Sequence, residues 1–448
     1  MKVAVIGAGI IGVTSAYELS ADGHQVTVFE RCGSVAAENS FANAGLIAPG
    51  YVTPWAAPGM PGKLLRHLFS RHTPVRLRAG LSPDTVAWLW QWWRACQART
   101  YRANRLRMQR LAGYSRERLH ELTHDLKLGY ERADGSLVLL RTAKELALAQ
   151  PALAVLGELN LRFDTLDAAQ CLVIEPGLNP DTPLHAGIHL PDDEVGNCRQ
   201  FAHLLRHEAY KLGARFRFHT DVSQITGGAQ PSLVHTYAPP ENSTLLTVQG
   251  DAGLRAFQDT VPMAPRPITE AFDAIIVCAA LGAPALLRPH GLKLPLQAVH
   301  GYSITAPLRV HETHPAHGPR SAVIDERYKV AISRLGARVR VAGGSEIGGS
   351  LADHHDGAIA TLYKVLHDWF PGAARLSQVQ RWKGARPMLP DGPPVLGRSG
   401  IDGIWLNLGH GSSGWALACG SARLLADSVA GRTPAIDTEG LGIERLVS

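Results

Sequence analysis

The first thirty residues carry the tightest constraint on what this chain can fold into. An apolar run at 3–6 leads into Gly7-Ala8-Gly9-Ile10-Ile11-Gly12, then into a helical spacing of apolar residues at Ile10, Val13, Ala16, Tyr17 and Leu19. Asp22-Gly23 stops that helix, and a second apolar run at 26–29 ends in Glu30. A lone glycine-rich hexamer is weak evidence, but strand, turn, helix, strand and acid together form the pattern of a dinucleotide-binding βαβ unit. Gly7 permits the tight turn, Gly9 lets the backbone approach a pyrophosphate, and Gly12 lets helix and strand pack closely. The helix N-terminus around Ile10 and Ile11 turns free N–H groups toward the anion. Glu30, 23 positions after Gly7, suits ribose hydroxyls and repels a 2′-phosphate.

That unit does not separate FAD from NAD; the far end of the chain does. Asn407-Leu408-Gly409-His410-Gly411-Ser412-Ser413-Gly414-Trp415 is a second glycine-rich strand-to-helix turn. An extended dinucleotide held at both ends, FAD, fits two such turns. The helix at 415–430 aims its positive end where negative charge appears on a reduced flavin.

At 448 residues the chain exceeds one simple core, so two domains are expected, one inserted in the other. Between the two turns the pattern reads as loop at 39–62, helix at 85–122, strand at 137–141 and helix at 143–156. A second αβ unit follows, with a helix at 198–212 stopped by Gly213 and a strand at 215–219. Residues 227–270, rich in Pro, Gly, Thr and Gln, read as a surface insertion. A buried strand at 274–278, strand patterns through 296–345, a helix at 357–370 and a strand at 404–408 complete the order. This places a nucleotide-binding domain in 1–50, 170–290 and 386–448, and a second domain in 51–169 and 291–385.

Apolar content of 45% and a mean hydropathy of −0.03 describe an ordinary globular protein. Gly7 breaks the first apolar run too early for a secretory leader, and the run at 274–287 is interrupted by Gly282 and Pro284 and too short to span a bilayer. Six cysteines without CxxC spacing suggest neither a disulfide framework nor zinc, so a reducing, cytoplasmic compartment is expected. His311, His314 and His317 are spaced by three, but Pro315 and Gly318 make them loop histidines, and no metal site is expected. Residues 60–118 hold 13 Lys/Arg against Asp84 and Glu117, a segment charge of +11 within a total of +6. The tryptophans there (Trp88, Trp90, Trp92 and Trp93) suit either a membrane interface, making the protein peripheral on the inner membrane, or a helix packed on the core. No nucleic-acid motif accompanies the basic patch.

Several stretches resemble the D-amino acid dehydrogenase small-subunit family, within the wider D-amino acid, glycine and sarcosine oxidase group. They are residues 3–30; Glu38-Asn-Ser-Phe-Ala-Asn-Ala-Gly-Leu-Ile-Ala-Pro-Gly-Tyr51, continuing through 54–61; His300-Gly-Tyr-Ser303; 325–334; Gly384-Ala-Arg-Pro-Met-Leu-Pro-Asp-Gly392; and 405–436. The resemblance implies an α/β fold: a Rossmann-like FAD-binding domain of the GR2 type, with an inserted α+β substrate domain whose mixed or antiparallel sheet covers the flavin. It implies noncovalent FAD, oxidation of D-amino acids to 2-oxo acids and ammonia, and electron delivery to a quinone or other acceptor. Two departures stand out: 227–270 is longer than the family pattern, and His300 stands where lysine is more usual.

Oxidising an amino acid at a flavin needs a carboxylate clamp, room to hold Cα–H over N5, and a neutral amine. A bidentate arginine suits a carboxylate, and the resemblance points to Arg386 in Gly384-Ala-Arg-Pro-Met. Tyr302, Tyr328 and Tyr51 are candidates for a second hydroxyl on the carboxylate, and His410 lies in the flavin-facing turn. No general base is needed, because hydride leaves Cα while the nitrogen lone pair forms the imine. By family position Arg31, Asn39, Ser40, Ala44, Gly45, Leu46, Ala279 and Gly282 are expected at the cofactor, and Val222 at the adenine. Two other readings fit the same motifs: an oxidase or dehydrogenase of glycine, sarcosine, D-proline or hydroxyproline, and a FAD-loaded electron-transfer subunit of a larger complex.

Overall fold

The computed structural model describes residues 1–67, 74–78, 81–238, 266–309 and 318–446. Its smaller sheet is built on the strand Lys2–Ile6, which pairs in parallel with Gln25–Phe29 on one side and Ala274–Val277 on the other. Ile404–Leu408 and Arg215–Arg217 extend the sheet in parallel, and Val395–Arg398 closes one edge antiparallel. Both faces of this sheet are covered, which is why its strands read as unbroken apolar runs rather than alternating ones. Helices Ile10–Ala21, Cys198–Lys211 and Gly414–Val429 pack into one core cluster on one face. The other face meets a three-stranded antiparallel sheet through Ile225, Leu233 and Phe272.

The larger sheet is mixed. Its strands run in the order Gln380–Met388, Gln297–Pro307, Arg338–Ile347, Val330–Leu335, Ala322–Asp325, Ala133–Leu140, Ala186–Val195 and Leu46–Ile47. Helix Asp356–Trp369 covers one face over Ile304, Ile332 and Val341. The opposite face looks toward the nucleotide-binding unit. This is the expected α/β arrangement with a second, mixed sheet.

The structure redraws several expected elements. Residues 85–122 are two helices, Pro83–Ala95 and Ala98–Asp125, broken at Cys96-Gln97. The first is capped by Ser82, whose Oγ accepts from the Thr85 N–H at 3.2 Å. Trp88 and Trp92 are buried against Trp55, while Trp90 and Trp93 face outward. The long helix Ala98–Asp125 packs on Gly414–Val429, reaches Glu18 of Ile10–Ala21 through Arg118 at 2.7 Å, and also meets the strand Ala186–Val195 through Arg116, which donates to the Asp192 carbonyl at 2.8 Å, so it bridges the nucleotide-binding unit and the larger sheet. The strand Ala186–Val195 falls in a stretch assigned to the nucleotide-binding domain, yet its ladder partners all belong to the larger sheet. The arms of the expected insertion are strands: Ser232–Tyr237 pairs with Thr220–Thr226 and with Ile268–Ala271. Leu233 and His235 point inward there, an alternation that the Pro- and Gly-rich surroundings obscure. Residues 239–265 and the three histidines at 311–317 lie outside the described residues.

Candidate active site

The carboxyl ends of the parallel strands converge on one cavity of about 1860 Å³, the position where open α/β sheets bind ligands. Gly7, Glu30, Ala279 and Gly409, each just beyond one of those strands, line it. Gly7 adopts φ +102°, and a Cβ there would lie 2.7 Å from the Cys278 carbonyl oxygen. A Cβ on Gly12 would lie 1.9 Å from the Gly7 carbonyl oxygen, so glycine is required for the helix to sit on the strand. Gly9 differs: its φ of −64° suits any residue, and an added Cβ would meet only Ser40 Oγ at 3.6 Å. Nothing in the protein demands glycine there, and the space in front of it opens into the cavity. Helix Ile10–Ala21 has no acidic residue in its first turn, so its positive end is uncompensated. Ser40 Oγ accepts from the Ile10 N–H at 3.0 Å, and Glu30 accepts from the N–H groups of Ala8 (2.6 Å) and Cys32 (2.8 Å). These groups fit the pyrophosphate and ribose of a dinucleotide.

The second turn closes the same cavity. Gly409, His410, Gly411, Ser412, Ser413 and Gly414 all line it, and helix Gly414–Val429 starts there without an acidic first turn. Gly409 and Gly411 take positive φ (78° and 56°), and a Cβ on them would press on Leu389 and Met388. His410 is buried, its Nε2 is 3.1 Å from Ser421 Oγ, and burial pushes its pKa down to about 3. It is a neutral imidazole at any physiological pH.

Arg386 supplies the charge. It projects from Gln380–Met388 across Gly301 of the neighbouring strand, where an added Cβ would lie 2.3 Å from its Nη2. Its Nη1 donates to the Gly344 carbonyl at 2.9 Å and to Ser345 Oγ at 3.2 Å. No ion pair with a carboxylate is found for it among the described residues, and burial pulls its pKa down to about 10. A cation enclosed without a counter-ion is an anion site, and its planar fork matches a carboxylate.

A scan against family models matches residues 2–428 to the family described as FAD dependent oxidoreductase. The chain belongs to this family. Curated relatives include the D-amino acid dehydrogenase of Rhizorhabdus wittichii, 42% identical over 447 residues (99% of this chain, 100% of the relative). The D-amino acid dehydrogenase of Bradyrhizobium diazoefficiens is 39% identical over 448 residues (99% of each). Among solved structures, glycine oxidase from Geobacillus kaustophilus superposes with a TM-score of 0.71 at 19% identity, covering 100% of this chain and 99% of that one. Iminodiacetate oxidase from Chelativorans sp. gives 0.69 at 20% identity, covering 98% of each chain. These two show the shared fold.

The cofactor of this oxidoreductase is FAD, and the expected cofactor contacts can be placed against its cavity. Gly7, Gly9, Ile10, Ile11, Glu30, Arg31, Asn39, Ser40, Ala44, Leu46, Val222, Ala279 and Gly282 line it. Ala8, Gly12 and Gly45 do not: Ala8 is buried beneath Glu30, Gly12 serves helix packing, and Gly45 passes against Val195 and Gly196. The tyrosines separate. Tyr51 lines the cavity beside Glu326 and Lys329, its hydroxyl 3.4 Å from Glu326 Oε2, and burial pushes its pKa up to about 12. Tyr302 also lines it, but its hydroxyl donates to Glu346 Oε2 at 2.9 Å, in a buried group with Lys383. Tyr328 does not line this cavity; its ring lies under Arg141 and Lys364. His300 is buried behind the cavity wall, where burial and the neighbouring Lys383 lower its pKa. Motif reading missed Gly301, Gly344 and Ser345, which seat Arg386; glycines inside strand patterns were the available signal.

Proposed function

We propose that the chain is a D-amino acid dehydrogenase, oxidising the Cα–N bond of D-amino acids to give 2-oxo acids and ammonia. The uncompensated Arg386 guanidinium carries the reading. In it, the turn at 7–12, Glu30 and Val222 hold the ADP half of FAD, and the turn at 409–414 faces the flavin. Bound FAD supplies the hydride acceptor. Arg386 grips the substrate carboxylate with its free N–H groups, and Gly344 and Ser345 fix the direction of that grip. The neutral His410 places no positive charge beside the substrate amine, which must be uncharged when hydride leaves Cα. Apolar walls exclude water. The full-length likeness to D-amino acid dehydrogenases supports this substrate class over secondary amines.

Anaerobic bleaching of the bound flavin by a panel of D-amino acids, glycine, sarcosine and D-proline tests the reading. Reduction by D-amino acids is expected. Reduction by secondary amines alone refutes the substrate class, stoichiometric peroxide in air refutes the dehydrogenase assignment, and a flavin that no amine bleaches favours an electron-transfer subunit.

In the same proposal the electrons pass to a quinone at a membrane surface. Helix Pro83–Ala95 supports this with Val86, Trp90 and Trp93 in one row, 54%, 54% and 59% exposed, and Arg94 over Trp90 at 4.8 Å. Tryptophan with arginine suits anionic headgroups. No helix among the described residues is long and apolar enough to cross a membrane. Flotation with anionic vesicles, lost on Trp90→Ala/Trp93→Ala, is the expected result; no flotation refutes it.

A further inference from the structure

The cavity has to hold both the dinucleotide and the substrate, and its volume of about 1860 Å³ suits two ligands at roughly 300–1,000 Å³ each. One end of it extends between helix Ala143–Glu158 and the cavity-facing side of the larger sheet. Leu140, Ile188 and Ile324 form the floor of this lobe, and Ala149, Ala152 and Leu153 its roof. Leu153 is buried in the roof, Ala149 is half-buried and Ala152 exposed, and the small side chains of the two alanines leave the space beneath them open.

The lobe begins within reach of the carboxylate clamp. The Arg386 tip is bonded over the strand Arg338–Ile347. Val330–Leu335 is one strand further along the sheet and Ala322–Asp325, carrying Ile324, is two. Ile324 is opposite Ala331 and, through it, Ala342, two residues from Gly344; at about 4.8 Å per strand and about 3.4 Å per residue it lies roughly 12 Å from the clamp. An aromatic or long aliphatic side chain extends roughly 6 Å beyond Cα, enough to enter the lobe from a clamped carboxylate, whereas a methyl group is not. Charged side chains of both signs rim the lobe: Lys144, Glu145, Glu326 and Arg327 line the cavity beside it, with Arg327 paired to Glu145 at 2.8 Å. Arg105 is 4% exposed, donates to the Ala152 carbonyl (3.1 Å) and Tyr101 Oη (3.4 Å), and keeps a buried Nε without a hydrogen-bond partner.

We infer that this lobe is the side-chain pocket, and that the enzyme prefers D-amino acids with long or aromatic apolar side chains over D-alanine. The inference rests on Arg386 as the carboxylate clamp. Its test pairs flavin reduction with equilibrium binding of unreactive carboxylates, read from the melting temperature of the flavin-loaded protein. D-phenylalanine and D-norleucine should exceed D-alanine in kcat/KM by about tenfold or more, the scale set by filling an apolar pocket. Likewise, 3-phenylpropionate should bind more tightly than propionate. Ala149→Phe fills the lobe, with Ala149→Leu as the milder variant should phenylalanine prevent folding; either should lower the D-phenylalanine to D-alanine ratio and weaken 3-phenylpropionate relative to propionate. D-alanine as the best substrate, or ratios unchanged in both variants, overturns the inference. If no D-amino acid reduces the flavin and Arg386→Leu leaves propionate binding intact, the clamp reading fails and takes the inference with it.

Discussion

Replacing Arg386 by leucine should leave the protein about as stable as before while abolishing its chemistry. Burial lowers the guanidinium pKa from its ordinary 12.5 to about 10. At 1.36 kcal/mol per pH unit the difference corresponds to roughly 3 kcal/mol, and partial opening to cavity water discounts it to about 1–3 kcal/mol. The sign follows from linkage: the folded state holds this proton less tightly than the unfolded chain does, so the penalty is complete below pH 10 and is relieved only above it. At neutral pH Arg386→Leu therefore removes the whole cost, losing in exchange two hydrogen bonds of about 1 kcal/mol each. The expected net lies within about 1 kcal/mol of zero, so the substrate-free melting temperature should stay within about two degrees of the wild type, with flavin retained. Propionate, by pairing with the cation, should raise the melting temperature of the wild type in proportion to RT ln(1 + [L]/Kd), and leave the variant unmoved. Scanning calorimetry at pH 7.5 with and without propionate, alongside kcat/KM for the preferred D-amino acid, measures both halves. A variant that melts well below the wild type and still responds to propionate would refute the argument, showing that Arg386 is a structural cation.

Three further outcomes follow from other residues. Gly301→Val places carbon where the Arg386 Nη2 lies, 2.3 Å from an added Cβ, so it should displace the clamp and raise KM by about tenfold or more while the protein stays yellow; unchanged KM counts against the seat. Gly9→Val has room in the folded chain but blocks the space before the helix N-terminus, so it should fold and purify colourless; a full flavin complement contradicts the phosphate-loop role. Asp193, buried beneath the turn that carries Tyr51, accepts from Gly50 N–H and Ser136 Oγ, and burial pushes its pKa up to about 7. A carboxyl raised this way favours the folded state while protonated, so the wild type should lose stability between pH 4 and about 7. Asp193→Asn should flatten that slope in chemical denaturation, and an unchanged slope would place the titration elsewhere.

The nucleotide-binding unit was legible because its turn chemistry and both apolar periods lie within thirty contiguous residues. Arg386 was legible only as a motif member. Its isolation depends on Gly301 and Gly344, brought beside it by antiparallel register across three strands, and no local pattern encodes that. The placement of Tyr302 was not legible because the strand bulges between His300 and Tyr302, and the direction of a side chain past a bulge cannot be counted by alternation. That of Tyr328 was not legible because it lies in the turn after a strand end. In helix Pro83–Ala95 the sequence offered two readings of four tryptophans, and the structure gives two to each side.

The strand bearing Arg386 is tied down on both flanks. Ala385 N–H donates to Asn39 Oδ1 at 2.8 Å, and Met388 forms a backbone bridge with His410. One tie comes from the loop after the first βαβ unit and the other from the second glycine-rich turn. The clamp is thus braced against both walls that face the cofactor, like a jig held at two points. The position of the clamp relative to the two glycine-rich turns is therefore set by how the backbone of its strand is fastened at two points.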